Sequence, residues 1–148
     1  MTTQIITMNQ AEQLFEEYLR YRRVDMNLDQ FIYLLKLYPA LIVCMSDGVL
    51  DDEEREGVLR TARGLASELE SVEQRNLLEK LFRTELLYLL DKIERWQKRF
   101  LNALKNQLDL KLIDQDIILE TMYLFANAAD GISTIEQQTI ERLTERLG

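Results

Sequence analysis

The stretch Ser46-Asp47-Gly48-Val49-Leu50-Asp51-Asp52-Glu53-Glu54 decides the fold, because the chain carries it twice. The second copy, one residue shorter, is Ala129-Asp130-Gly131-Ile132-Ser133-Thr134-Ile135-Glu136. In each copy an apolar helix runs into Asp-Gly, one or two aliphatic residues follow, and an acidic helix start comes next. Glycine supplies the left-handed backbone that closes a helix. Asp51 with Glu54, and Ser133 with Glu136, have the spacing of a capping box, so a new helix begins immediately.

The match extends outward from the corner. Leu41-Ile42-Val43-Cys44-Met45-Ser46-Asp47-Gly48 aligns with Leu124-Phe125-Ala126-Asn127-Ala128-Ala129-Asp130-Gly131. With one residue removed between Gly48 and Asp51, Asp51 meets Ser133, Glu54 meets Glu136, Val58 meets Ile140 and Leu65 meets Leu147. Two helix–DG–helix hairpins of one design in a short chain predict a pseudo-twofold arrangement.

The rest of the chain reads as helix. A length of 148 residues suits one domain, 1–148, with a real core. One Pro and five Gly leave little to interrupt helices, and 47% apolar with 30% charged residues is a globular composition. The expectation is an all-α, compact single-domain bundle of about six to seven helices.

Asn9 and Glu12 mark a first helix over about 10–24, with Leu14, Phe15, Tyr18, Leu19 and Arg22 at helical spacing. Its basic end, Arg20-Tyr21-Arg22-Arg23, suits a helix C-terminus. Asn27 caps a second helix, which Pro39 should end or kink at Tyr38, with Ala40 to Met45 forming a centrally buried segment. A third helix from Asp51 buries Val58, Leu59, Ala62, Leu65, Ala66 and Leu69.

Ser71 caps the next, and apolar positions then recur without Gly or Pro through Leu78, Phe82, Leu86, Leu89, Ile93, Trp96, Phe100 and Leu104. One helix of that length would measure roughly 57 Å, against about 40 Å for the whole domain, so a break is expected near Arg83-Thr84-Glu85. Asp114 or Asp116 starts a helix burying Ile117, Ile118, Met122, Phe125 and Ala126. Ile140, Leu143 and Leu147 line the last one.

A carboxylate at a helix C-terminus faces the negative end of the dipole, which costs roughly 0.3–1 kcal/mol. Having Asp there twice calls for compensation. Either each Asp accepts backbone N–H groups from its own turn or the next helix start, or Asp47, Glu54, Asp130 and Glu136 offer hard oxygen ligands to Ca²⁺ or Mg²⁺. The spacing is not that of an EF-hand.

These same residues carry a family resemblance. Ser46-Asp47-Gly48-Val49-Leu50-Asp51-Asp52-Glu53-Glu54-Arg55-Glu56 behind an apolar helix, and Ala128-Ala129-Asp130-Gly131-Ile132-Ser133 with Glu136, resemble the tellurite-resistance TerB-like family. The resemblance covers about 39–70 and 114–148. It implies an all-helical domain of duplicated hairpins, a bacterial stress response including tellurite resistance, and metal association through Asp47, Glu54, Asp130 and Glu136. It also implies a place in cytoplasmic or membrane-associated protein complexes. The second copy departs from the pattern: its loop is shorter, and Thr134-Ile135 stand where the first copy has acids.

Charge and composition exclude other classes. A net charge of −8 repels nucleic acid and anionic membrane surfaces. No histidine is present, which removes His-based triads and His metal sites, and no glycine-rich phosphate loop occurs. The single cysteine, Cys44, lies in an apolar run and reads as a small buried hydrophobe. The N-terminus lacks a signal-peptide pattern, and no window approaches the roughly 18 apolar residues of a membrane helix. The expectation is a cytoplasmic non-enzyme. The competing reading is a protein-interaction module without metal, with protein partners or a homodimer. Its candidate surface is Glu94-Arg95-Trp96-Gln97-Lys98-Arg99, unless Trp96 belongs to the core.

Overall fold

The computed structural model describes residues 8–48, 50–66, 72–128 and 131–148. Helix α2 (Leu28–Met45) is the axis around which the others pack. Asn27 starts it with a reciprocal capping box: the Asn27 side chain accepts the Gln30 N–H, and the Gln30 side chain accepts the Asn27 N–H. The helix does not stop at Tyr38. It runs through Pro39 to Met45. An internal proline costs about 3 kcal/mol. Here Leu34, Leu35, Leu37, Tyr38, Ala40 and Leu41 are all buried around it, and each large apolar side chain contributes roughly 1.5–3 kcal/mol. Packing wins over the local penalty.

Continuity through Pro39 gives α2 a length of 18 residues and a mean hydropathy of 1.4, enough by length and composition to cross a membrane. Of that window, 56% is buried inside the protein. Its apolarity is therefore used by the core of the bundle.

All the helices of the described residues are α-helices, seven in number, with no strand among them. The others are α1 (Gln10–Arg22), α3 (Asp52–Ala66), α4 (Val72–Asp91), α5 (Ile93–Asp109), α6 (Gln115–Asn127) and α7 (Thr134–Leu147). The all-α bundle expected from the sequence is the fold observed. Helix α2 packs most extensively on α6, and also on α5. Within the duplicated hairpins, α2–α3 and α6–α7, the crossed contacts match: α2 touches α7, and α6 touches α3. That reciprocity is what a pseudo-twofold arrangement of the two hairpins requires.

The long helical stretch breaks at Lys92, not at Arg83-Thr84-Glu85. Thr84 does not cap anything; its hydroxyl donates to the Lys80 carbonyl one turn back. Lys92 leaves the helical region (φ −117°, ψ 33°) with no side-chain cap. The buried Tyr38 hydroxyl donates to the Ile93 carbonyl at that junction, so α2 holds the corner that local sequence does not mark. The Ser71 cap and Leu69 lie outside the described residues, as do the side chains of Leu65, Ala66 and Leu78. Ile117, expected inside α6, is 48% exposed, while Ile118, Met122, Phe125 and Ala126 are buried.

Trp96 belongs to the core at 1% exposure and is not a surface anchor. It stacks edge-on with Tyr18 and Phe100, at centroid distances of 5.2 and 6.0 Å. Its indole N–H is satisfied by the Tyr88 hydroxyl at 2.8 Å. Beside it lies a buried charge. Glu85 is fully buried on α4 and accepts hydrogen bonds from Arg22 (2.8 and 2.9 Å) and from the Tyr18 hydroxyl (2.7 Å). The Arg22 guanidinium in turn lies 3.8 Å from the Tyr88 ring centroid. Of the basic end of α1, Arg22 is thus structural.

Candidate functional site

The two Asp-Gly corners open into one cleft of about 790 Å³. Each corner is made by a glycine at positive φ, +122° at Gly48 and +90° at Gly131. A Cβ at either glycine would meet nothing within 4 Å, so the requirement is conformational and not steric. Behind Gly48, Asp51 accepts the Glu54 N–H at 2.7 Å, and Glu54 accepts the Asp51 N–H at 3.3 Å. Behind Gly131, the Ser133 hydroxyl accepts the Glu136 N–H, and Glu136 accepts the Ser133 N–H, both at 3.0 Å. Both boxes predicted from the repeat are formed.

Three of the four acidic residues singled out from the sequence, Asp47, Glu54 and Glu136, line this cleft together. Asp130 lies outside the described residues. Glu54 and Glu136 each spend one carboxylate oxygen on their own helix start. Among the described residues, Asp47 accepts no N–H of its own turn or of α3, whose cap is Asp51. Its carboxylate instead accepts the Ser133 hydroxyl at 2.8 Å, from the other hairpin. The compensation demanded by an acid at a helix C-terminus comes from across the repeat.

Asp51, Glu53 and Arg60 also line the cleft. The sequence marked Asp51 only as a cap and Ser133 only as its counterpart; the alignment of the two copies was the signal that both face the site. Among the described residues, five carboxylates (Asp47, Asp51, Glu53, Glu54, Glu136) then stand against one guanidinium, Arg60. Leu50, Val58 and Phe125 supply an apolar floor with Cys44. Burial, with the nearby Glu136 and Glu54 carboxylates, pushes the Cys44 thiol up to about 12. It is protonated at neutral pH and is no nucleophile.

The arrangement suits attraction of positive charge. Among the described residues no three metal-capable side chains converge on one point. The cleft thus offers carboxylate oxygens without a closed cage of ligands. No family model, curated protein or solved structure matches this chain.

Proposed function

We propose that this chain is a TerB-like, non-catalytic protein of the bacterial stress response, of the tellurite-resistance type, and that its acidic cleft takes up a divalent cation such as Ca²⁺ or Mg²⁺. The observation that carries the reading is that Asp47, Glu54 and Glu136, drawn from two hairpins, line one cleft. Hard cations accept carboxylate oxygens together with water. Because Asp47, Glu54 and Glu136 do not converge on one point, they would hold the cation chiefly through its bound water. Protonated Cys44 and the lack of histidine support a role without catalysis.

The test is calorimetric titration of Ca²⁺, Mg²⁺ and Mn²⁺ into metal-stripped protein, with Asp47→Asn/Asp130→Asn as the control. Saturable binding lost in the variant is the expected result. A flat titration of the parent protein would sink the cation.

A second reading has its own observation. Asp47, Glu54 and Glu136 each already accept an intramolecular hydrogen bond, which is what corners serving architecture alone would do. On that reading the chain is a helical interaction module without metal, and Asp47→Asn changes stability and nothing else.

A further inference from the structure

We propose that the cleft between α1 and α5, about 360 Å³ and lined by Glu17, Arg20, Tyr21, Arg95, Trp96 and Arg99, receives an acidic segment of a partner protein. It lies apart from the acidic cleft and stands whether or not a cation binds there.

Two guanidiniums in it are held in place by aromatic rings. Arg95 lies 4.3 Å from the Tyr21 ring centroid, and Arg99 lies 4.1 Å from that of Trp96. Tyr21 in turn meets Trp96 edge-on at 5.6 Å. A stacked guanidinium keeps its in-plane N–H donors directed outward, which suits a carboxylate fork. Arg99 also pairs with Glu17. Among the described residues, Arg20 and Arg95 make no ion pair. On a chain of net charge −8, two unpaired guanidiniums beside a half-exposed tyrosine form a local inversion of sign. Arg and Tyr are also the residue types on which interface energy concentrates.

The size and charge choose the occupant. A nucleic acid needs a run of phosphate contacts. Here the lining holds three guanidiniums, one of them paired with Glu17, which is too few for such a run and enough for one or two carboxylates. One or two carboxylates flanked by an apolar residue fit: the acid takes Arg20 and Arg95, and the apolar group lies on Tyr21.

Trp96 is the sole tryptophan and lines the cleft, so its emission reports occupancy. The experiment titrates a peptide of alternating Glu and Leu into the intact protein and follows that emission. Parallel titrations use inorganic phosphate and a twelve-nucleotide oligothymidylate. A saturable change with the peptide is expected, at least tenfold weaker in Arg20→Gln/Arg95→Gln. Both positions are exposed, and an unchanged melting temperature would confirm that the variant is folded. No saturable change, equal affinity in the variant, or tighter binding of phosphate or oligonucleotide than of peptide would each overturn the proposal.

Discussion

The Ser133 hydroxyl donates to the Asp47 carboxylate at 2.8 Å, joining the two hairpins across 86 residues of chain. Ser133 simultaneously caps α7, accepting the Glu136 N–H. One hydroxyl thus serves its own helix and the other half of the repeat. Asp47→Ala should cost about 1 kcal/mol, the ordinary worth of a partly solvated hydrogen bond to a charged group. Ser133→Ala should cost more, because the cap is lost as well. A double-mutant cycle followed by urea denaturation should give a coupling on the order of 0.5 kcal/mol or above. Strict additivity would mean that the contact carries no energy.

Gly48 offers a cleaner test of the corner. Its φ of +122° is closed to L side chains, yet a Cβ there would touch nothing. Gly48→Ala should therefore destabilise by roughly 1–3 kcal/mol through backbone strain alone. Gly57, inside α3, has no positive φ, so Gly57→Ala should be neutral or stabilising by up to about 1 kcal/mol. Thermal unfolding of the pair reads the contrast directly. Equal effects at the two sites would contradict the conformational role of Gly48.

What was legible in the chain, and what was not, divides by range. Asn9, Asn27, Asp51 and Ser133 all cap the helices their spacing predicts, because a cap is a contact over three residues. Of the core stripe, Phe82, Leu86, Leu89, Trp96, Phe100 and Leu104 are buried as the periodicity requires, while Ile93, next to the break at Lys92, is only partly buried. Pro39 does not end its helix because its cost is local and the burial that outweighs it is tertiary. Lys92 breaks a helix without any side-chain signal, since the supporting hydroxyl comes from Tyr38. Likewise nothing within one turn of Glu85 announces Arg22, which lies 63 residues earlier. At the site, the repeat indicated the corners but not that Asp47 reaches Ser133.

Glu85 predicts the largest loss. It is fully buried with two hydrogen bonds from Arg22 and one from Tyr18. Glu85→Gln removes the charge that Arg22 needs and turns an amide donor toward a guanidinium. Removing one partner of a buried pair costs on the order of 3–5 kcal/mol. Tyr18→Phe leaves both Arg22 bonds intact and should cost only about 1 kcal/mol. Urea midpoints for the two variants would show the difference. A Glu85→Gln protein as stable as the parent would remove this triad from the account of the fold.

The buried hydroxyls and thiol make a prediction for alkaline solution. Burial raises the pKa of Tyr33 and Tyr38, and burial together with Glu85 raises that of Tyr18. Burial foremost pushes Cys44 up to about 12. In every case the folded state holds its proton longer than the unfolded state does. A raised folded pKa contributes stability that is fully present below the unfolded value and is lost as pH rises toward the folded one. Stability should thus hold through neutral pH and begin to fall near pH 9, where an unfolded cysteine ionises. It should fall faster above pH 10, where unfolded tyrosines follow. Each group costs roughly 1.4 kcal/mol per pH unit once its unfolded form is ionised. Urea unfolding at pH 7, 9 and 10.5 measures the slope, and phenolate absorbance should show these three tyrosines titrating only as the protein unfolds. At pH 7.5 Cys44 should resist iodoacetamide until urea is added. Rapid labelling of the folded protein would contradict the burial that keeps the thiol protonated.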